Sequence, residues 1–66
     1  RGIVFDGRTL WLVDSNTNLI YQIDPATGTV IRSFAAPSIG PRGIGWDDRS
    51  LWVADNGTDL LYQLNL

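Results

Sequence analysis

Residues 1–25 of this chain recur at residues 42–66, shifted by 41 positions without a gap. Twelve of the 25 pairs are identical: Arg1/Arg42, Gly2/Gly43, Ile3/Ile44, Asp6/Asp47, Arg8/Arg49, Leu10/Leu51, Trp11/Trp52, Asp14/Asp55, Thr17/Thr58, Leu19/Leu60, Tyr21/Tyr62 and Gln22/Gln63. Phe5/Trp46, Thr9/Ser50, Ile20/Leu61 and Ile23/Leu64 are conservative exchanges. A repeat of this kind constrains the fold more than any single residue does. Each copy takes the same local structure, and each leaves a face that only a neighbouring copy covers.

Turn residues divide each copy into short strands. In the first, residues 3–5 end at Asp6-Gly7, residues 9–13 end at the polar run Asp14 to Asn18, and residues 19–23 follow it. The run Asp24-Pro25-Ala26-Thr27-Gly28 sets Pro where a turn needs a fixed φ and Gly where it needs a positive one, so it closes a hairpin into residues 29–34. Residues 35–41 then cross to the second copy, which stops before a counterpart of residues 29–34. The expected order is therefore four strands, a crossing, and three strands, with a blade over residues 1–41 and a shorter one over 42–66. A period near 40 residues in a strand-rich chain is that of four-stranded propeller blades.

Composition supports the all-β reading. Lys, Glu and Met, which favour helices, are absent; every basic residue is Arg and every acidic one Asp, and Val, Ile, Thr and aromatic residues supply the strands. Both faces of the second strand are apolar, Leu10 and Leu12 on one and Trp11 and Val13 on the other, which calls for a neighbour on each side. Trp11, Trp46, Trp52, Leu10 and Leu51 are accordingly expected to pack between blades. Residues 60–64 are left as an outer edge strand without Lys or Pro to discourage pairing.

Several function classes lose their chemistry. With no Cys and no His there is no disulfide, no common zinc site, no thiolate nucleophile and no imidazole base, so no cofactor and no catalytic residue is assigned. A formal charge of −2 without a basic run argues against nucleic acid and anionic membranes as partners, and no apolar run is long enough to cross a bilayer. A chain of 66 residues buries only about 60% of its unfolded surface, which points to self-association or to missing blades as the partner. Residue 1 is not Met, which reads as a fragment or trimmed product of a longer chain; near-identical copies fit a recent duplication, a consensus sequence or a designed protein alike.

Gly40-Pro41-Arg42-Gly43-Ile44, Leu51-Trp52-Val53-Ala54-Asp55 and Leu61-Tyr62-Gln63-Leu64 resemble the NHL and YVTN-type propeller blades and the streptogramin-lyase-like blades near them. The resemblance implies an all-β propeller whose ring is completed by further blades. It fits the WD-repeat pattern less well, because Trp46-Asp47 ends the first strand and not the third, and the quinoprotein pattern less well, because Arg32 stands where an aromatic residue belongs.

Alternation of loops between the two ends of a blade gathers Arg1, Asp14, Arg42, Asp55 and Asn56 at one end. That set reads either as an axial ring able to hold a small polar ligand, or as repeated Arg–Asp pairs and loop caps. The opposite turns, at Asp6, Asp24 and Asp47, have turn chemistry as a sufficient reason, as does Asn56-Gly57-Thr58 despite matching a glycosylation sequon. Two functions from different classes are expected: a non-catalytic module that assembles head-to-tail into a ring, or a piece of a lyase-like or lactonase-like propeller enzyme. The His residues that such enzymes use are absent here.

Overall fold

The computed structural model of the chain describes residues 2–66, so Arg1 lies outside the described residues. Among the described residues seven strands and no helix form: β1 (Gly2–Phe5), β2 (Leu10–Asp14), β3 (Leu19–Ile23), β4 (Val30–Ala35), β5 (Pro41–Trp46), β6 (Leu51–Asp55) and β7 (Leu60–Leu64). They make two antiparallel sheets ordered as in the sequence, β1-β2-β3-β4 and β5-β6-β7. The fold class is all-β. Strand bounds fall within a residue or two of the sequence expectation, with one correction. Pro41, assigned to the crossing, opens β5: it pairs with Asp55 and is buried. An edge strand tolerates Pro in this way because its missing N–H faces no partner.

The repeated turns hold the same backbone whatever residue occupies them. Gly7 and its counterpart Asp48 have φ of 99° and 75°, and Asn18 and its counterpart Asp59 have φ of 56° and 58°. Asp and Asn are the non-glycine residues that best accept this left-handed region. The left-handed residue of the second long loop is thus Asp59, and Gly57 serves a different need. A Cβ added at Gly40 would lie 2.8 Å from Gly57 N, so the crossing passes directly over the β6–β7 loop.

Register and alternation sort the side chains onto faces. On the first sheet Val4, Trp11, Val13, Ile20 and Phe34 share one face, through the pairs Val4↔Trp11, Val13↔Ile20 and Ile20↔Phe34. On the second, Ile44, Trp46, Leu51, Val53, Tyr62 and Leu64 share the opposite kind of face. These two faces meet. Trp11, Val13, Ile20, Leu51 and Val53 are fully buried between the sheets, with the remaining residues of both faces packed around them. Strand β5 lies over β1 and β2, and its backbone comes so close that a Cβ on Gly2 would sit 3.3 Å from Arg42 O and 3.4 Å from Gly43 Cα.

Trp11 is the largest buried side chain, 1% exposed. The edge of Phe34 meets its ring at 6.2 Å between centroids, and the Arg32 guanidinium lies 5.3 Å from its centre. Replacing it by Ala removes the largest part of a small core. Trp11→Ala is expected to cost about 3–5 kcal/mol, read as loss of cooperative unfolding in a denaturant titration; a midpoint equal to that of the wild type would contradict this core.

Candidate functional site

The loop end holds the residues that the sequence marked. Asp55 is 4% exposed, and its carboxylate accepts from Gly40 N at 3.1 Å, Gly57 N at 2.7 Å and Thr58 N at 3.0 Å. Burial alone would raise its pKa, but the Ser38 side chain and the Thr58, Gly40 and Gly57 amides outweigh that and hold it below the ordinary value. Asn56 donates its own N–H to Gly40 O at 2.8 Å while its side chain stays exposed. Asp55 and Asn56 therefore clamp the crossing between the sheets. The first sheet clamps it from the other side: Ala36 N donates to Asn18 O at 2.9 Å, and the Asn18 amide, oriented so that its nitrogen faces carbonyls, donates to Ile39 O at 3.0 Å.

Asp14 caps its own loop by accepting from Asn16 N at 2.8 Å. Arg42 is exposed at the point where the β5–β6 register shifts, between Pro41 and Gly43, and it is not among the donors to Asp14 or Asp55. Of the expected set, then, the structure brings Asp55 and Asn56 together around Gly40, shows no hydrogen bond that ties Asp14 or the Arg42 side chain to that cluster among the described residues, and leaves Arg1 outside the described residues. Among the described residues no group of three or more acidic side chains is spaced to hold a metal, and they form no pocket.

A second polar constellation, read from sequence only as turn chemistry, runs through each sheet. The Asp6 carboxylate accepts from Arg8 N, Thr9 N, Thr9 Oγ1 and Trp11 Nε1, the last at 2.8 Å; Gln22 Nε2 donates to Thr9 Oγ1, and Arg32 Nε donates to Gln22 Oε1 at 2.8 Å. The second sheet repeats it as Asp47, Ser50, Trp52 and Gln63, with Trp52 Nε1 2.7 Å from Asp47 Oδ2 and Gln63 Nε2 2.9 Å from Ser50 Oγ. The identities Asp6/Asp47, Trp11/Trp52 and Gln22/Gln63 were its signal in the sequence. The network orients each indole and satisfies the polar groups beneath it.

The outer faces of both sheets leave apolar side chains open to solvent. The outer face of the first sheet carries Ile3, Phe5, Leu10, Leu12 and Tyr21, with Ile3 58% and Phe5 54% exposed. The outer face of the second carries Trp52, Ala54 and Leu61, with Leu61 63% exposed. Of the residues expected to pack between blades, Trp11 and Leu51 lie between the two sheets, Trp46 packs at the border of that core, and Leu10 and Trp52 face outward.

Comparison with protein-family models, curated protein sequences and solved structures gave no match.

The two repeated carboxylates make the fold acid-sensitive. The Trp52 indole and the Ser50 amide lead the donors that lower Asp47 from 3.8 to about 2; at Asp6 burial opposes the shift, and Thr9, Trp11 and Arg8 donors still bring it from 3.8 to about 2. Depressed folded-state values add stability above the unfolded value, and that stability is lost as the pH falls through the folded one. Melting temperature should hold down to about pH 4 and drop toward about pH 2, and Asp6→Asn should flatten that dependence. An unchanged slope in Asp6→Asn would contradict the network. Gly40→Ala, which would press a methyl against Gly57 N, should also lower the midpoint of thermal unfolding.

Proposed function

We propose that the chain is a non-catalytic β-propeller repeat module in which each sheet is a blade, and that it assembles head-to-tail with copies of itself into a closed ring, a structural or binding scaffold. The observation that carries this is the pair Gly2 and Gly43. Gly2 lies under the β5 backbone, where a Cβ would meet atoms at 3.3–3.4 Å. Gly43 is its repeat counterpart, yet among the described residues the only atom near an added Cβ there is Ala54 Cβ at 3.7 Å. The second sheet thus keeps the clearance that an incoming inner strand needs, on a face that none of the described residues covers.

The side chains support the same docking. Trp52, Ala54 and Leu61 are the counterparts of Trp11, Val13 and Ile20, which are buried against the second sheet. Ile3, Phe5, Leu10 and Leu12 are the counterparts of Ile44, Trp46, Leu51 and Val53, which form the other half of that interface. Each open face is the repeat of one already buried, so a second chain can dock its first sheet on this chain's second sheet as the two sheets dock within one chain. Such an interface is heterologous, and it closes when the rotation per sheet divides a full turn. Propellers of about four to eight blades correspond to rings of about two to four such chains.

Native mass spectrometry is expected to give a closed oligomer with no open-ended series. Gly43→Val should keep the fold, because the space over Gly43 is open among the described residues, and should reduce the assembly to single chains. A wild-type chain that stays folded and monomeric at high concentration would overturn the reading.

A further inference from the structure

The Asn56-Gly57-Thr58 turn holds a reactive pair that neither the stacked faces nor the Asp–Trp–Gln networks use. Asn56 is the only Asn of the chain followed by Gly, whereas Asn16, Asn18 and Asn65 precede Thr17, Leu19 and Leu66. Its side chain is exposed, and among the described residues its amide makes no hydrogen bond. Gly57 has no Cβ to keep its backbone nitrogen away from Asn56 Cγ, so the two groups can meet within one chain. The structure holds that nitrogen back. Gly57 N donates to Asp55 Oδ1 at 2.7 Å, so the proton it must lose is held by a carboxylate, and the anion left behind would face a like charge. Gly40 lies over it so closely that a Cβ added there would be 2.8 Å from Gly57 N and 3.2 Å from Gly57 Cα, which limits its movement toward Asn56 Cγ. Asn56 N donates to Gly40 O at 2.8 Å and Gly40 N to Asp55 Oδ2 at 3.1 Å, so this lock and the clamp on the crossing are one structure. In the first copy Asn16 N donates to Asp14 Oδ1 at 2.8 Å in the same way, but the residue before it is Ser15, which has no amide to attack.

We propose that Asn56 is a self-modification site gated by the clamp on the crossing. When the Asp55 and Gly40 contacts open, Gly57 N bonds to Asn56 Cγ and the Cγ–Nδ2 bond breaks. The proton from Gly57 N leaves with the side-chain nitrogen as ammonia, and a succinimide remains. Water then adds to either imide carbonyl and breaks its bond to Gly57 N. Attack at the side-chain carbonyl gives aspartate and attack at the backbone carbonyl gives isoaspartate; nothing is oxidised or reduced. Each product sets a new negative charge next to Asp55. Isoaspartate also lengthens the backbone by a carbon atom, which carries the Gly57 and Thr58 amides away from the Asp55 carboxylate that now accepts from them. Opening of the crossing thereby becomes permanent. The inference does not rest on ring closure, since every group it uses lies in one chain.

The test incubates the full chain at mildly alkaline pH, with and without denaturant, and follows Asn56 by peptide mass spectrometry for ammonia loss, water gain and isoaspartate. In denaturant Asn56 is expected to convert ahead of Asn16, Asn18 and Asn65. In the folded chain it should convert at least about tenfold more slowly, with amide exchange at Gly57 slowed to a similar degree. Asp55→Asn, shown to be folded by near-ultraviolet circular dichroism, should recover most of the rate seen in denaturant. In the isoaspartate product the Gly40 amide should exchange faster than in the unmodified chain. The proposal would be overturned by conversion in denaturant no faster at Asn56 than at the other three, or by a folded rate equal to the denatured one; neither result needs a variant. A folded Asp55→Asn chain as slow as the wild type, or unchanged Gly40 exchange in the isoaspartate product, would overturn it as well.

Discussion

Everything in this molecule depends on how closely two sheets without a large core can approach. At Gly2 the β5 backbone lies within van der Waals reach of where a side chain would begin. That contact lets residues on both sides interdigitate and bury Trp11, Val13, Ile20, Leu51 and Val53 completely. Packing at this density stabilises a chain of 66 residues more than an equal area of loose contact would, because each buried side chain keeps partners on every side. The remainder of the structure serves that approach. Asp55 and Asn18 stitch the crossing to the loops on either side and hold the sheets in register, while Asp6 and Asp47 set the indoles at their angle.

Much of this was legible in the sequence because strand and turn chemistry are local. The turns at Gly7, Asn18 and Gly28 are written in residues that accept positive φ, and the seven strands follow from the apolar runs between them. Burial was not legible in the same way. Trp11 and Trp52 are the same residue in the same repeat position, and so nearly are Ile20 and Leu61, yet Ile20 is fully buried and Leu61 is 63% exposed. The difference lies in which sheet stands on which face, a property of the stack that neither copy encodes alone.

The loop end teaches a related point. Asp14 and Asp55 are identical partners in the repeat, and alternation of loops placed both at one end. Only Asp55 receives the crossing, because only its loop has a Gly40 passing over it, so a repeated residue takes a repeated role only where its neighbours also repeat. Pro41 was read as part of the crossing, but at the first position of an inner edge strand its lost donor is not needed. The Asp–Trp–Gln networks were masked in sequence by their simpler turn function, since one carboxylate caps the turn with one oxygen and holds the indole with the other.

The central claim is that the two open faces fit each other and not themselves. Mixing two variants tests it most directly: Gly43→Val, which blocks the outer face of the second sheet, and Phe5→Asp, which blocks that of the first. Each alone retains one usable face of one kind, so each is expected to run as a single chain in sedimentation equilibrium, and the equimolar mixture as a species of two chains, one of each variant. A mixture that stays at the mass of one chain, or either variant pairing with itself, would contradict the account.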